Sequence, residues 1–406
     1  MTKGLNIVVV GTMASDPYAG MAWMSMQIVL GFQRLGHNVY YFETTNVWPY
    51  NPELCTRVDN AGYAIPYLMK LAEAFGISNR WAYRCSFSEK KEWIGLSKAK
   101  AEELLAEADL VFNVSGATCF VDQGLKVGRL VYYGTDPVYP EIKYAQGDPD
   151  TVPIIEEHDD IVTYGENIGN PDCTIPPLPR LRAKTRQPIL VDLWQNGEPT
   201  RKEFTTVGNW KQAGRDLIFK GETYHWSKHH EFLKFITLPK KINQPIEFAT
   251  NLAKPEKSKH CEETIVPAFG VITDEHSLLI SNGWKLKDGP ALSTDPWRYK
   301  DYITSSRGEF TFAKDQNIRL RSGWFSERSA CYLAAGRPVI TQDTAFDCAL
   351  PIGEGLFAFN SMEEIVAAFD AINSNYKKHS KAAREFAEEY FRAETVLEKL
   401  LNDLSA

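Results

Sequence analysis

The sequence predicts an α/β protein of two doubly wound domains, and three observations carry that expectation. The chain opens as strand, loop, helix, strand; a proline-rich segment interrupts it near the middle; a second alternating series follows. Its 406 residues agree, because single cores stop growing beyond about 250–300 residues.

The elements follow in order. NIVVV at residues 6–10 is a short apolar run ending at Gly11, as in a strand buried on both faces. The loop TMASDPYAG leads into the helical stretch MAWMSMQIVLGFQRLGH, which Gly36 ends before HNVYYF resumes as strand. SKAKAEELLAEA at residues 97–108 reads as helix, DLVFNVS and RLVYYGTDP as strands, and DIVTYGENIG as a short strand with a glycine-bearing end. Residues 1–180 therefore form a first domain. DCTIPPLPRLRAKTRQP, residues 172–188, has the composition of an extended connector. A second domain over residues 186–379 starts at ILVDLW and EFTTVGNW. It continues through a helix at SKHHEFLKFI, a strand at QPIEFAT, a helix–strand pair at HSLLISNGWKL and a strand at GEFTFAK. A helix at FSERSACYLAAG, the strand RPVITQD and the helix SMEEIVAAFDAINSNY complete it. Residues 380–406 read as one last helix. Its apolar positions Phe386, Tyr390, Phe391, Val396, Leu397, Leu400 and Leu401 extend further than one domain edge needs, so it is expected to pack back on the first domain.

Composition removes several function classes. A formal charge of −7 argues against a general nucleic-acid binder, which needs a concentrated basic surface, although a local basic cleft stays open. Seven cysteines (Cys55, Cys85, Cys119, Cys173, Cys261, Cys331, Cys348) are widely spaced with no C-x-x-C, as expected of reduced thiols in the cytoplasm and not of a disulfide framework or zinc site. The N-terminus reads as a strand rather than a signal peptide. No stretch approaches the about 18 apolar residues of a membrane span, so no integral membrane segment is expected.

The richest segment is residues 305–356, SSRGEFTFAKDQNIRLRSGWFSERSACYLAAGRPVITQDTAFDCALPIGEGL. Within it a helix ends in Ala-Gly-x-Pro-Val before a strand and a polar loop, and the opening NIVVVG with RLGHNVYYFE fits the same pattern. This resembles glycosyltransferases of the GT-B fold, especially the bacterial group 1 branch related to spore-maturation glycosyltransferases. The resemblance implies two Rossmann-like domains facing a central cleft, with the C-terminal helix returning to the N-terminal one. It also implies metal-independent sugar transfer from a nucleotide-sugar donor to a small-molecule or cell-envelope acceptor, with no cofactor. The sequence departs from related retaining enzymes, which often place glutamates where Cys331 and Gly323 stand here. A nucleotide-sugar epimerase on the same fold and a non-catalytic binding protein are the rival readings. A DNA-modifying transferase ranks below them because of the acidic balance.

Candidate site residues follow from where such a sheet exposes them. A nucleotide sugar binds best at strand carboxyl ends, where helix N-termini and glycine-rich turns offer N–H groups to a diphosphate. Gly208, Gly323, Ser326 and Glu327 are expected there, with Ser326 as helix cap and Glu327 reaching a ribose. Arg307, Lys314 and Arg321 are candidates to offset the leaving diphosphate, and Asp343 and Thr344 to contact sugar hydroxyls. On the acceptor side Asp16, Asp136 and Glu166 are candidates for the base that deprotonates the acceptor, with Asp16 and Asp136 both preceding proline, where aspartate also orders turns. His225, His229 and His230 hint at a metal cluster, but no H-E-x-x-H order is present and neighbouring Trp226 and Phe232 favour packing.

Overall fold

The computed structural model describes residues 4–195, 197–252 and 273–405, so Cys261 lies outside the described residues. The chain divides into two compact units, each built on a parallel sheet.

Unit 1 comprises Met1–Gly165, Pro176–Leu190 and Ala393–Ala406. Its strands are β1 (Asn6–Val10), β2 (Asn38–Glu43), β3 (Trp81–Arg84), β4 (Trp93–Gly95), β5 (Leu110–Val114), β6 (Leu130–Gly134), β7 (Asp160–Thr163) and β8 (Leu181–Lys184). They are ordered β8-β7-β6-β5-β1-β2-β3-β4, all parallel except the β3–β4 hairpin. Central strands are the apolar runs of the sequence: Ile7 to Val10, Val111 and Phe112 are buried, as a sheet covered on both faces requires. The connector supplies β8, whose half-exposed Arg182 and Lys184 leave the outer edge charged and discourage further strand pairing.

Helix α1 (Ala19–Arg34) packs against α5 (Ala393–Ser405), a chain terminus returning to its beginning. Gly31 makes this approach possible, since a Cβ there would lie 2.5 Å from Leu397 Cδ1 and 3.1 Å from Ala393 Cβ. Val396, Leu397, Leu400 and Leu404 form the buried stripe. Arg34 pairs with Glu394 at 3.2 Å, Arg129 Nη2 donates to Leu404 O, and Ala393 N donates to Ile189 O.

Unit 2 comprises Glu166–Ile175 and Val191–Arg392. Strands β9 (Phe204–Val207), β10 (Ile246–Thr250), β11 (Lys285–Asp288), β12 (Gly308–Thr311), β13 (Val339–Gln342) and β14 (Leu356–Phe359) run in the order β11-β10-β9-β12-β13-β14, all parallel. An aromatic core of Phe204, Trp210, Phe232, Phe248, Phe310, Phe312, Phe359 and Phe369 supports them. Helices α2 (Glu327–Ala334), α3 (Met362–Ser374) and α4 (Tyr376–Tyr390) follow.

Three expectations change. ILVDLW, where the second series was expected to start, contributes a single 3-10 turn, Val191–Trp194. The last helical segment is two helices, broken where the fully buried Phe391 stacks on Phe325 at 5.4 Å, so residues 380–390 belong to unit 2 and only residues from 393 to unit 1. Glu166, expected with the first domain, belongs to unit 2.

Candidate functional site

In unit 2 the chain leaves β9 toward one sheet edge and returns at β12 on the other side, so the strand order reverses between these two. Crevices at such reversals, beyond the carboxyl ends, are where open α/β sheets bind ligands. Gly208 follows β9 there in open space, with only Phe248 Cε2 at 3.9 Å from a built Cβ. Lys314 follows β12 and holds its ammonium 3.1 Å from the centre of the Trp226 ring. Between them lies Arg328, in the first turn of α2. Its Nη1 donates to Val207 O at 2.6 Å, its Nη2 to Thr311 Oγ1 at 2.7 Å and its Nε to Glu309 Oε1 at 2.5 Å. Glu309 is fully buried. Burial works against the Arg328 charge, but the adjoining Glu309 carboxylate outweighs it and holds the guanidinium pKa above its ordinary range.

The loops beside this crevice are stitched to one another. Gly323 N donates to Thr344 O at 2.7 Å, and Thr344 Oγ1 donates to Trp324 O at 2.6 Å. Asp343 accepts from Ala345 N at 2.7 Å and from Asn360 Nδ2 at 3.2 Å. Gly323 sits at φ +76°, and a Cβ there would come within 2.3 Å of Asn167 N. Its freedom therefore serves the approach of the segment after Glu166, and its N–H is already engaged by Thr344. Ser326 has extended cap geometry ahead of α2, but its hydroxyl makes no capping bond. Glu327 Oε1 accepts from Cys331 Sγ at 3.4 Å, so its carboxylate lies along the helix with the residue one turn on. Arg321 pairs with Asp172 at 2.8 Å.

Arg307 does not join this group. It precedes β12 at the amino end of the strand, donates to Asn373 Oδ1 at 3.0 Å and lies over the Tyr376 ring. The carboxyl ends of the strands are at the opposite end of the sheet from Arg307. The histidines also differ from a helical pair, because the helix starts only at His229. His225 and His230 stack at 4.0 Å between ring centres, and His225 Nδ1 meets Asp216 at 3.1 Å. Burial, with the charges of His230 and Lys211, lowers the His229 pKa to about 4. Among the described residues no histidine, cysteine or carboxylate group is arranged to hold a metal.

Unit 1 reverses between β1 and β5. The loop after β1 carries Asp16, which pairs with Arg57 at 2.7 Å. Beneath it, the fully buried Glu43 closes β2 and accepts four hydrogen bonds: Ala14 N at 2.5 Å and Tyr41 OH at 2.7 Å on one oxygen, Ser15 N at 3.0 Å and Ser15 Oγ at 2.7 Å on the other. Burial pushes its pKa up to about 7, against the pull of those donors. A second buried carboxylate repeats the device. Asp136 follows β6, and two residues on Val138 adopts φ +89°, a costly conformation for a β-branched residue. Glu141 accepts the Val138 N–H at 2.7 Å, and burial pushes its pKa, too, up to about 7. Asp16 and Asp136 thus stand on loops, each tied down by a buried glutamate, whereas Glu166, the third predicted carboxylate, begins the first segment of unit 2.

Sequence reasoning missed Glu43, Glu141 and Arg328. One signal was present: an acidic residue inside or closing an apolar strand, as in HNVYYFE and GEFTF, needs a buried partner. Nothing local said which residue that partner was.

No protein-family model matches the sequence, and no curated protein matches it. Solved structures do match it over its full length. A glycosyltransferase from Rickettsia africae ESF-5 is 12% identical over 99% of this chain and 98% of that one, with a TM-score of 0.53. HepE of Anabaena, in complex with UDP and glucose, is 12% identical over 99% of both chains, with a TM-score of 0.56. An α-glucosyltransferase in complex with UDP and a 13-mer DNA containing a HMU base is 10% identical over 100% of both, with a TM-score of 0.55. At these identities the likeness establishes a shared two-domain, Rossmann-like α/β fold.

Proposed function

We propose that the chain is a glycosyltransferase that moves a sugar from a nucleotide-sugar donor to a small-molecule or cell-envelope acceptor, without a metal ion. The observation that carries this reading is the crevice at the β9/β12 reversal. It brings an open glycine turn, a lysine and the first turn of α2 to the carboxyl ends of one parallel sheet, in a fold that glycosyltransferases share over their full length. The donor lies there, with the diphosphate near Gly208, Lys314 and Ser326, the ribose at Glu327, and the sugar at Asp343 and Thr344. Lys314 offsets charge on the departing diphosphate, and a cation held in place before the reaction stabilises a charge that grows in the transition state. Asp16 and Asp136 on unit 1 are the candidates for the base that takes the acceptor proton, each on a loop that a buried carboxylate fixes. The six described cysteines form no disulfide with one another, in keeping with a cytoplasmic setting. Among the described residues no helix is long and apolar enough to cross a membrane.

Calorimetric titration with nucleoside diphosphates, beginning with UDP because two neighbours bind it, tests the donor site directly. Binding that Glu327→Gln and Lys314→Gln each weaken is the expected result. No binding of any nucleoside diphosphate at millimolar concentration refutes the reading. Interconversion of the donor sugar with no acceptor present selects the epimerase instead.

A further inference from the structure

The end of β3 opens onto a cavity of about 540 Å³, within the about 300–1,000 Å³ typical of small-molecule sites. Arg84, Lys90, Lys91 and Lys98 line it, opposed by two carboxylates, Glu89 and Glu92, and Trp93 provides an aromatic wall. In a chain whose formal charge is −7, a net basic cavity is a local arrangement and no reflection of composition.

Two of its side chains carry the argument. Arg84 is only 9% exposed; its Nη1 donates to Gln123 Oε1 at 2.6 Å and to Gln123 O at 3.2 Å, while its Nε makes no hydrogen bond within the chain. The Trp93 indole Nε1 is likewise buried and makes none. The guanidinium carbon lies 5.8 Å from the centre of the Trp93 ring, so the two side chains belong to one wall. Buried polar groups are nearly always satisfied, and unsatisfied donors on two side chains that line a basic cavity call for an acceptor with several oxygens. The lysines leave their charge largely uncommitted: Lys90 approaches Glu92 only at 3.9 Å, and Lys98 approaches Glu102 only at 4.0 Å. Burial lowers the Arg84 pKa, with Glu102 offsetting part of that cost, so a second anion beside it is favoured.

We propose that this cavity binds a phosphate-bearing small molecule, its phosphate accepting from Arg84 and Trp93 while Lys90, Lys91 and Lys98 balance its second charge. A phosphate dianion suits the site better than a carboxylate, because it presents more oxygens to donors that converge from different directions and neutralises the cationic surplus more fully. The volume leaves room for the remainder of the molecule beside the Trp93 ring. All lining residues lie between positions 84 and 98 of unit 1 and none is a donor-site residue, so the proposal stands without the sugar-transfer reading.

Calorimetry on the full chain at low salt tests it, with phenyl phosphate and inorganic phosphate as probes and benzoate as the monoanionic comparison. Phenyl phosphate is expected to bind at one site, at least about tenfold more tightly than benzoate, the worth of one charge-assisted hydrogen bond. Arg84→Gln and Trp93→Phe are each expected to weaken it by about the same factor, with melting temperature reading the fold. Arg84 also holds Gln123, so the triple variant Lys90→Gln/Lys91→Gln/Lys98→Gln, altered at the surface only, decides the matter if Arg84→Gln does not fold. Absence of phenyl phosphate binding at millimolar concentration overturns the proposal, as does binding that the triple variant leaves unchanged. Equal affinity for benzoate overturns the assignment to phosphate.

Discussion

Replacing Glu43 by glutamine tests whether the loop bearing Asp16 is fixed by a buried carboxylate that titrates near neutrality. In the folded protein Glu43 keeps its proton up to about pH 7, against an ordinary value of 4.5. Between those values the folded state holds a proton that the unfolded chain has released, so raising the pH favours unfolding. The stability associated with Glu43 is therefore greatest below about pH 4.5, falls as pH rises, and levels off above about pH 7. At 1.36 kcal/mol per pKa unit the loss is roughly 3 kcal/mol for this one group. Glutamine carries no titrating proton, so Glu43→Gln should lose roughly 3 kcal/mol less than the wild type across the same range. Urea unfolding of the full chain at several pH values between 4.5 and 8 measures the difference, with hydrogen exchange of peptides from β1 and β2 assigning it to unit 1. Titration of all other groups is common to both proteins and cancels in the comparison. Parallel stability–pH curves for the two proteins would refute the reasoning, and with it the view that Glu43 latches the loop.

Two further outcomes follow from unit 2. Arg328→Met strands the buried Glu309 carboxylate and should destabilise that unit by about 3–5 kcal/mol, while Arg328→Met/Glu309→Gln should recover much of the loss; urea unfolding of the single and double variants checks both. Gly323→Ala places a Cβ against Asn167 N at φ +76° and should cost at least about 1–3 kcal/mol in melting experiments. Because Gly323 N holds the Thr344 carbonyl, the same variant should weaken nucleoside diphosphate binding, measured by calorimetry.

Much of this fold was legible in the chain. NIVVV, DLVFNVS and RLVYYG are continuous apolar runs, and a strand buried on both faces leaves no other pattern, so β1, β5 and β6 stand where the sequence put them. The largely apolar buried faces of α1 and α5 were equally readable, because helical spacing is a local property. Asp16, Lys314 and Asp343 could likewise be assigned to the loops that follow β1, β12 and β13, since the limits of those strands are local. Tertiary structure decided the rest. Arg307 already preceded the strand GEFTFAK in the sequence; parallel pairing of β12 with β9 is what puts it at the amino end of the sheet. That Glu166 joins unit 2 rests on Asn167 N meeting Ser322 O, a contact across more than 150 positions of sequence. The division of the last helical segment turns on Phe391 finding Phe325, and Gly31 finding Leu397. Buried charges are the extreme case: Glu43 and Glu309 are tolerable in a core only through donors brought from distant segments. Hydrophobic period reports which face of an element is hidden, but the partner that meets a buried charge is chosen by the packing of the whole chain.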